Sequence, residues 1–223
     1  NTFGSPAEPT EVFNIAEGFV RLDGGSTVLG TPNCITTVQD GAVLLLNNTS
    51  NTGGSLQLLD GSTLSVTMNQ GLVGAVGTTA TLNVPAENAT TVLLADYFVE
   101  NTNGGNVIVN NKLTGSGTIN LEGIDFAAGY NGGGVFQLRN LTNDFSGTIN
   151  VGTNAVLENY RNDGSKSGSA LGTAPINLEG GTVRLYDNNS VTYGNDVNLN
   201  ADSMMYAERW DAGSNMTGTM GTL

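Results

Sequence analysis

Glu208-Arg209-Trp210-Asp211 is a stretch where the chain's single tryptophan and charged side chains coincide. A carboxylate beside an indole suits a sugar: the ring face stacks on the apolar face of a pyranose and the carboxylate accepts hydroxyl protons. Glu208, Trp210 and Asp211 are therefore the candidate ligand contacts. The plainer account has Trp210 packing over an open strand edge.

Other charged groups could in principle cleave polysaccharide. Glu122 and Asp125 are near neighbours, and Arg184 sits in a strand-like run. Calcium-assisted elimination needs an Asp/Glu cluster with an Arg or Lys base, and hydrolysis needs paired acids. Neither set is complete, so these read as solvated charges. Asn159-x-Arg161-x-Asp163-Gly164 has the spacing of a calcium loop but places Arg161 at a ligand position, where a cation would repel the ion. Calcium is the only cofactor the sequence raises, and none is expected. The glycine-rich run at Gly129–Gly134 has no Lys-Ser/Thr and no helix after it, which excludes a phosphate loop. The chain contains no histidine, so the commonest general base and most zinc chemistry are missing. Cys34 is the single cysteine, cannot form an intrachain disulfide, and is expected as a small buried hydrophobe.

A net charge of −13, from 20 acidic and 7 basic residues, repels phosphate backbones and anionic membrane surfaces. No nucleic-acid partner is expected. The longest apolar run, Val92–Val99, is short and broken by Asp96, so no membrane insertion is expected either. The 223 residues suit one unit, residues 1–223, read as a single segment of a longer chain because no Met or signal sequence opens it. Six Asn-x-Ser/Thr sequons, at Asn47, Asn48, Asn88, Asn140, Asn188 and Asn215, matter only where exported proteins are glycosylated.

Whatever chemistry exists must be carried by strands. Ser-Gly-Thr-Ile-Asn occurs at Ser116–Asn120 and again at Ser146–Asn150, and Ile-Asn-Leu-Glu-Gly at Ile119–Gly123 and Ile176–Gly180. Repetition of this kind marks a stacked, quasi-one-dimensional fold. Apolar residues alternate with polar ones in Leu56/Leu58, Leu82/Val84, Ile119/Leu121, Ile149/Val151, Ile176/Leu178 and similar pairs, the period of a strand with one buried face. Asp23-Gly24, Asp40-Gly41, Asp60-Gly61 and Glu179-Gly180-Gly181 precede such runs and suit tight corners. The expected fold is all-β: a right-handed parallel β-helix of about ten coils, about 20 residues each and about 50 Å long. Gly123–Gly134 and Asn159–Gly172 are expected as protruding loops, and Ala201–Gly218 as an irregular piece. An uncapped coil end invites addition, so the edge near Thr219–Leu223 is expected to be covered by more chain or a neighbouring subunit.

Asn83, Asn120, Asn150, Asn177 and Asn198 each lie between two aliphatic residues. Alternation turns the aliphatics inward and the amides outward. In-register stacking then predicts a ladder of at least Asn120, Asn150 and Asn177 on one outer face, hydrogen-bonded along the axis.

The stretches Asn143–Leu157 and Ser169–Leu185 resemble the autotransporter-associated β-strand repeat, with its Asn-x-Phe-Ser-Gly strand entry, Ala-Leu-Gly, Pro and Gly-Gly-Thr-Val-Arg-Leu. The resemblance implies a right-handed parallel β-helix on a bacterial surface, often an autotransporter passenger, and is nearly silent on activity. The chain is accordingly expected to be a non-enzymatic structural or adhesive solenoid module of an exported protein, extracellular or at the cell surface. Its expected partners are further coils, other copies of itself and carbohydrate. A virion fibre or decoration protein, or a polysaccharide-acting β-helix enzyme, are the alternatives.

Overall fold

A computed structural model describes residues 12–23, 28–47, 50–67, 70–74, 79–94, 105–123, 134–160, 169–209 and 217–223. Strands follow one another in triplets. The first coil holds β1 (Val12–Ile15), β2 (Phe19–Leu22) and β3 (Val28–Leu29). The second holds β4 (Ile35–Val38), β5 (Val43–Asn47) and β6 (Asn51–Thr52), and the third β7 (Ser55–Leu58), β8 (Thr63–Thr67) and β9 (Gln70–Val73). Then come β10 (Thr81–Val84), β11 (Ala89–Leu93) and β12 (Asn106–Val109), followed by β13 (Lys112–Gly115), β14 (Thr118–Glu122) and β15 (Gly134–Leu138). The later coils carry β16 (Thr148–Gly152) with β17 (Ala155–Tyr160), and β18 (Ile176–Glu179) with β19 (Thr182–Tyr186). The last strands are β20 (Val191–Thr192), β21 (Val197–Leu199), β22 (Met204–Glu208) and β23 (Gly218–Thr219).

No strand pairs with its successor in sequence. Each pairs with the strand one coil away, always parallel. Three sheets result: β1-β4-β7-β10-β13; β2-β5-β8-β11-β14-β16-β18-β21; and β3-β6-β9-β12-β15-β17-β19-β22, with β20 and β23 forming a short pair of their own. This is a three-sided parallel β-helix. The second and third sheets have eight strands each, so eight coils are stacked among the described residues where the sequence led us to expect about ten. Side-chain partners one coil apart lie 21 to 30 residues apart, and the longer coils account for the difference. At about 4.8 Å per strand the stack is about 35 Å long rather than 50.

The inward positions are those the alternation picked out. One column runs unbroken through the second sheet: Val20, Leu44, Leu64, Val92, Leu121, Val151, Leu178 and Leu199 are successive partners. Its interior members are fully buried, each contributing about 1.5–3 kcal/mol of transfer free energy. Phe136 and Phe145 are the largest buried side chains, and Cys34 is buried as expected.

Corners are held by glycine and by buried asparagine. Gly41 and Gly61 have φ of 68° and 66° between the first and second sheets, and Gly41 N–H donates to the Gly61 carbonyl one coil on. The equivalent corner of the first coil is Gly18 (φ 72°), not Asp23-Gly24: Asp23 follows β2, one corner further along, and Gly24 lies outside the described residues. Asp60 and Asn88 bracket their corner reciprocally, with Asp60 N–H donating to Asn88 Oδ1 and Ala89 N–H to Asp60 Oδ1. Where the wall is not strand, Asn111 donates to the Gly54 carbonyl and Asn195 to that of Ala174, both from fully buried side chains. They satisfy carbonyls that no ladder reaches.

Candidate functional site

A solenoid of this shape presents its side chains in columns, and two outer faces carry organised polar groups. On the second sheet the column is Thr63, Thr91, Asn120, Asn150, Asn177 and Asn198. Asn150 Nδ2 donates to Asn120 Oδ1 at 2.7 Å, Asn177 Nδ2 to Asn150 Oδ1 at 2.8 Å, and Asn198 Nδ2 to Asn177 Oδ1 at 2.8 Å. The expected ladder is present, one asparagine longer than its minimum. Asn83 is not in it. It sits on the first sheet between Gln57 and Thr114, accepting from the Thr114 hydroxyl at 3.2 Å. Its Leu-Asn-Val context matches the others, but its corner feeds a different side.

The third sheet carries the charged groups. Phe136, Leu157, Val183 and Met205 form one inward column, so the residues that follow them, Gln137, Glu158, Arg184 and Tyr206, form an outward one. Beside it stand Tyr160, Tyr186 and Glu208. Arg184 joins the set. Its Nη1 pairs with Glu158 Oε2 at 2.9 Å, while Nε and Nη2 donate to Glu208 Oε2 at 3.0 and 2.8 Å. Its guanidinium lies over Tyr186 at 4.9 Å and Tyr206 at 5.9 Å. Gln137 bridges the other end, donating to Glu158 Oε1 and accepting from Arg139 Nε at 2.5 Å. Arg139 covers the Tyr160 ring at 4.8 Å, and Tyr160 stacks on Tyr186 with centroids 5.3 Å apart.

Charge and burial set the titration of this face. Glu158 is almost completely buried, and burial raises its pKa despite the Gln137 hydrogen bond and the two arginines. Burial pulls Arg139 below its ordinary value. It works the same way on Arg184, but Glu158 and Glu208 outweigh it and the net shift is upward. The face is thus a neutralised network of two arginines and two glutamates, clasped by tyrosines. It can orient a polar ligand along its exposed margin, at Tyr206 and Glu208. Proton transfer suits it poorly, since both carboxylates are already engaged with Arg184.

Of the three candidate contacts, Glu208 is on this face, at the end of β22. Trp210 and Asp211 lie outside the described residues. The stretch Ala201–Gly218, expected to be irregular, contains β22 because Met204–Glu208 continues the third sheet in register with Thr182–Tyr186. Asn159 also belongs to a strand. Its side chain points into the coil, accepting from Ala170 N–H at 2.5 Å and donating to the Tyr193 hydroxyl at 3.5 Å. The strand therefore runs through Asn159 and Tyr160, where the loop was expected to begin; Arg161, Asp163 and Gly164 of the calcium-like spacing lie outside the described residues. Glu122 ends β14 on the second sheet, away from Arg184 on the third, and Asp125 is not among the described residues. Most of Gly129–Gly134 is likewise outside them, with Gly134 itself opening β15. Among the described residues no group of three or more carboxylate or thiol ligands converges, and no helix is long and apolar enough to cross a membrane.

Comparison with known family models, with curated proteins and with solved structures finds no match. The outer faces themselves therefore carry the functional reading. Gln137, Glu158 and Tyr160 went unnoticed as a set because each lies in a different coil from its partner. Part of the signal was available: Gln137 and Glu158 follow Phe136 and Leu157, partners in one inward column, whereas Tyr160 follows Asn159 and the 21-residue step from Gln137 to Glu158 is shorter than the 27 and 30 residues of the repeats.

Proposed function

We propose that this segment is a non-enzymatic structural and adhesive solenoid module of an exported bacterial surface protein. The observation that carries this is the pair of side-chain ladders on the outer walls. The asparagine row and the Gln137–Glu158–Arg184–Glu208 row both tie coil to coil, which is what a stiff spacer needs. The resemblance of Asn143–Leu157 and Ser169–Leu185 to the autotransporter-associated repeat supports an extracellular or cell-surface setting. The margin at Tyr206 and Glu208 is the part of the wall that offers an aromatic ring and a carboxylate to a carbohydrate.

The test is incubation with a panel of acidic and neutral polysaccharides, read two ways. Affinity electrophoresis is expected to show retardation by at least one polysaccharide, weakened by Tyr206→Ala. Reducing ends and unsaturated products are expected to stay at background. A time-dependent release of either, lost in Glu158→Gln, would replace the scaffold reading with an enzymatic one.

A further inference from the structure

The polar groups of the third wall form one continuous line. Glu208 accepts from Arg184, Arg184 pairs with Glu158, Glu158 accepts from Gln137, and Gln137 accepts from Arg139 Nε. Counted together the charges cancel, yet the pairing is uneven. Arg184 holds both carboxylates, and Arg139 has neither within ion-pair distance. Arg21 and Lys112 also pair with acids, Asp23 and Asp144. In a chain with 20 acidic and 7 basic residues, a partly buried arginine with no ion pair among the described residues is out of place. Burial is the largest influence on its guanidinium and lowers its pKa, outweighing the attraction of Tyr160 and Glu158. A desolvated cation whose counter-charge is missing behaves in this way. It remains protonated at neutral pH.

The unpaired end is also held in place. Gln137 fixes Nε at 2.5 Å, and the guanidinium lies over the Tyr160 ring, 4.8 Å from its centre. Tyr160 in turn stacks on Tyr186. With Nε engaged, the remaining edge is Nη1 and Nη2, which have no hydrogen-bond partner among the described residues. Two parallel N–H groups on that edge match the two oxygens of one carboxylate. The coil before supplies no acid. Leu138 pairs with Val109, so Asn110 stands beside Arg139, and its amide donates to the Gly74 carbonyl.

We infer that Arg139 is a carboxylate clamp for an acidic oligosaccharide, with the acid on Nη1 and Nη2 and neutral sugars running along the wall toward Tyr206. This rests on the carbohydrate reading of that wall and narrows it to one class of sugar. Register puts Arg139 three coils from Tyr206, about 14 Å along the axis, so a short oligosaccharide reaches from one to the other. The ligand's charge must be sparse. Glu158 and Glu208 oppose a second acid along the way, and the net charge of −13 repels a dense polyanion.

The experiment is isothermal titration calorimetry with a xylo-oligosaccharide that carries one glucuronate, and with the same compound after methyl esterification of that acid. The ester removes the ligand's charge and leaves the protein untouched. The wild type is expected to bind the acid about tenfold or more tighter than the ester. Arg139→Gln is expected to lose that preference, and Arg139→Lys to recover part of it. Circular dichroism checks that each variant keeps its strands. Equal affinity of the wild type for acid and ester, with both weakened by Tyr206→Ala, overturns the clamp and leaves the carbohydrate reading standing. A preference for the acid that survives Arg139→Gln also overturns it. Tighter, Arg139-dependent binding of the sulfated counterpart would replace the carboxylate with a sulfate ester. No binding of acid, ester or sulfate overturns the clamp, and retardation by the polysaccharide panel then decides whether the carbohydrate reading stands.

Discussion

Glu158 is the side chain on which the third-sheet face depends. Its two oxygens are held by Gln137 and Arg184, and it is almost fully buried. Removing it in Glu158→Ala takes the acceptor from the buried Gln137 amide and one ion-pair partner from the half-buried Arg184, and is expected to cost about 1–3 kcal/mol in urea denaturation. The pH dependence has an unusual sign for a carboxylate. Because burial raises its pKa in the folded state, folding favours the protonated form. Its stabilising share is therefore complete below the ordinary glutamate range and is lost as pH rises through the raised value. Measured as a difference between wild type and Glu158→Gln, stability is expected to fall from acid toward neutral pH. A flat difference curve would contradict the shift. Tyr193 behaves alike at the alkaline end: it is buried, its pKa is pushed well above the tyrosine norm, and folding resists its ionisation. Stability is expected to drop once pH passes the ordinary tyrosine value, and Tyr193→Phe is expected to move that transition to higher pH. None of these shifts was legible in the sequence, where Glu158 stood beside the expected Asn159–Gly172 loop and Tyr160 inside it. Burial on the outside of a wall depends on what lies one coil above and below.

Strands and corners were far more legible. Alternation located the inward aliphatics because a strand needs only two-residue periodicity to declare its faces. The asparagine ladder followed from three near-identical strand sentences. It also makes a graded prediction. Asn150 takes part in two amide bonds and Asn198 in one. At about 1 kcal/mol net for each bond, Asn150→Ala is expected to cost about twice Asn198→Ala by chemical denaturation. Equal costs would mean that the ladder adds nothing beyond strand propensity. Asn83 shows the limit of the method: three residues of context reveal which way a side chain points, not which of three walls it stands on. Corner glycines divide on similar grounds. Gly41 has open space where a side chain would begin, so Gly41→Ala meets only its left-handed backbone, about 1 kcal/mol. Gly115 (φ 100°) would drive the same methyl into the Val84 carbonyl oxygen and is expected to cost distinctly more.

For the molecule as a whole, stability is spread over neighbouring coils instead of gathered in one core. Hydrogen exchange is expected to be slowest in β11 and β14, in mid-stack, and fastest in β21 and β22, which lie at an edge and are largely exposed. Acidic walls add a common repulsion. Raising ionic strength from low salt is expected to raise the melting temperature, since screening relieves the −13 charge more than it weakens the few ion pairs. The number of coils was less legible than their existence, because loop length between strands varies without disturbing the wall.

The asparagine row has one more property. All three amide bonds run the same way, from Asn198 to Asn177, Asn177 to Asn150 and Asn150 to Asn120, so the row has a head and a tail. Turning over Asn150 or Asn177 alone would set nitrogen against nitrogen on one side and oxygen against oxygen on the other. The four can therefore reverse only together, like dominoes, and in either setting their small dipoles add. The second wall behaves as an arrow drawn along the rod, and a molecule that touches it meets a different surface travelling up than travelling down.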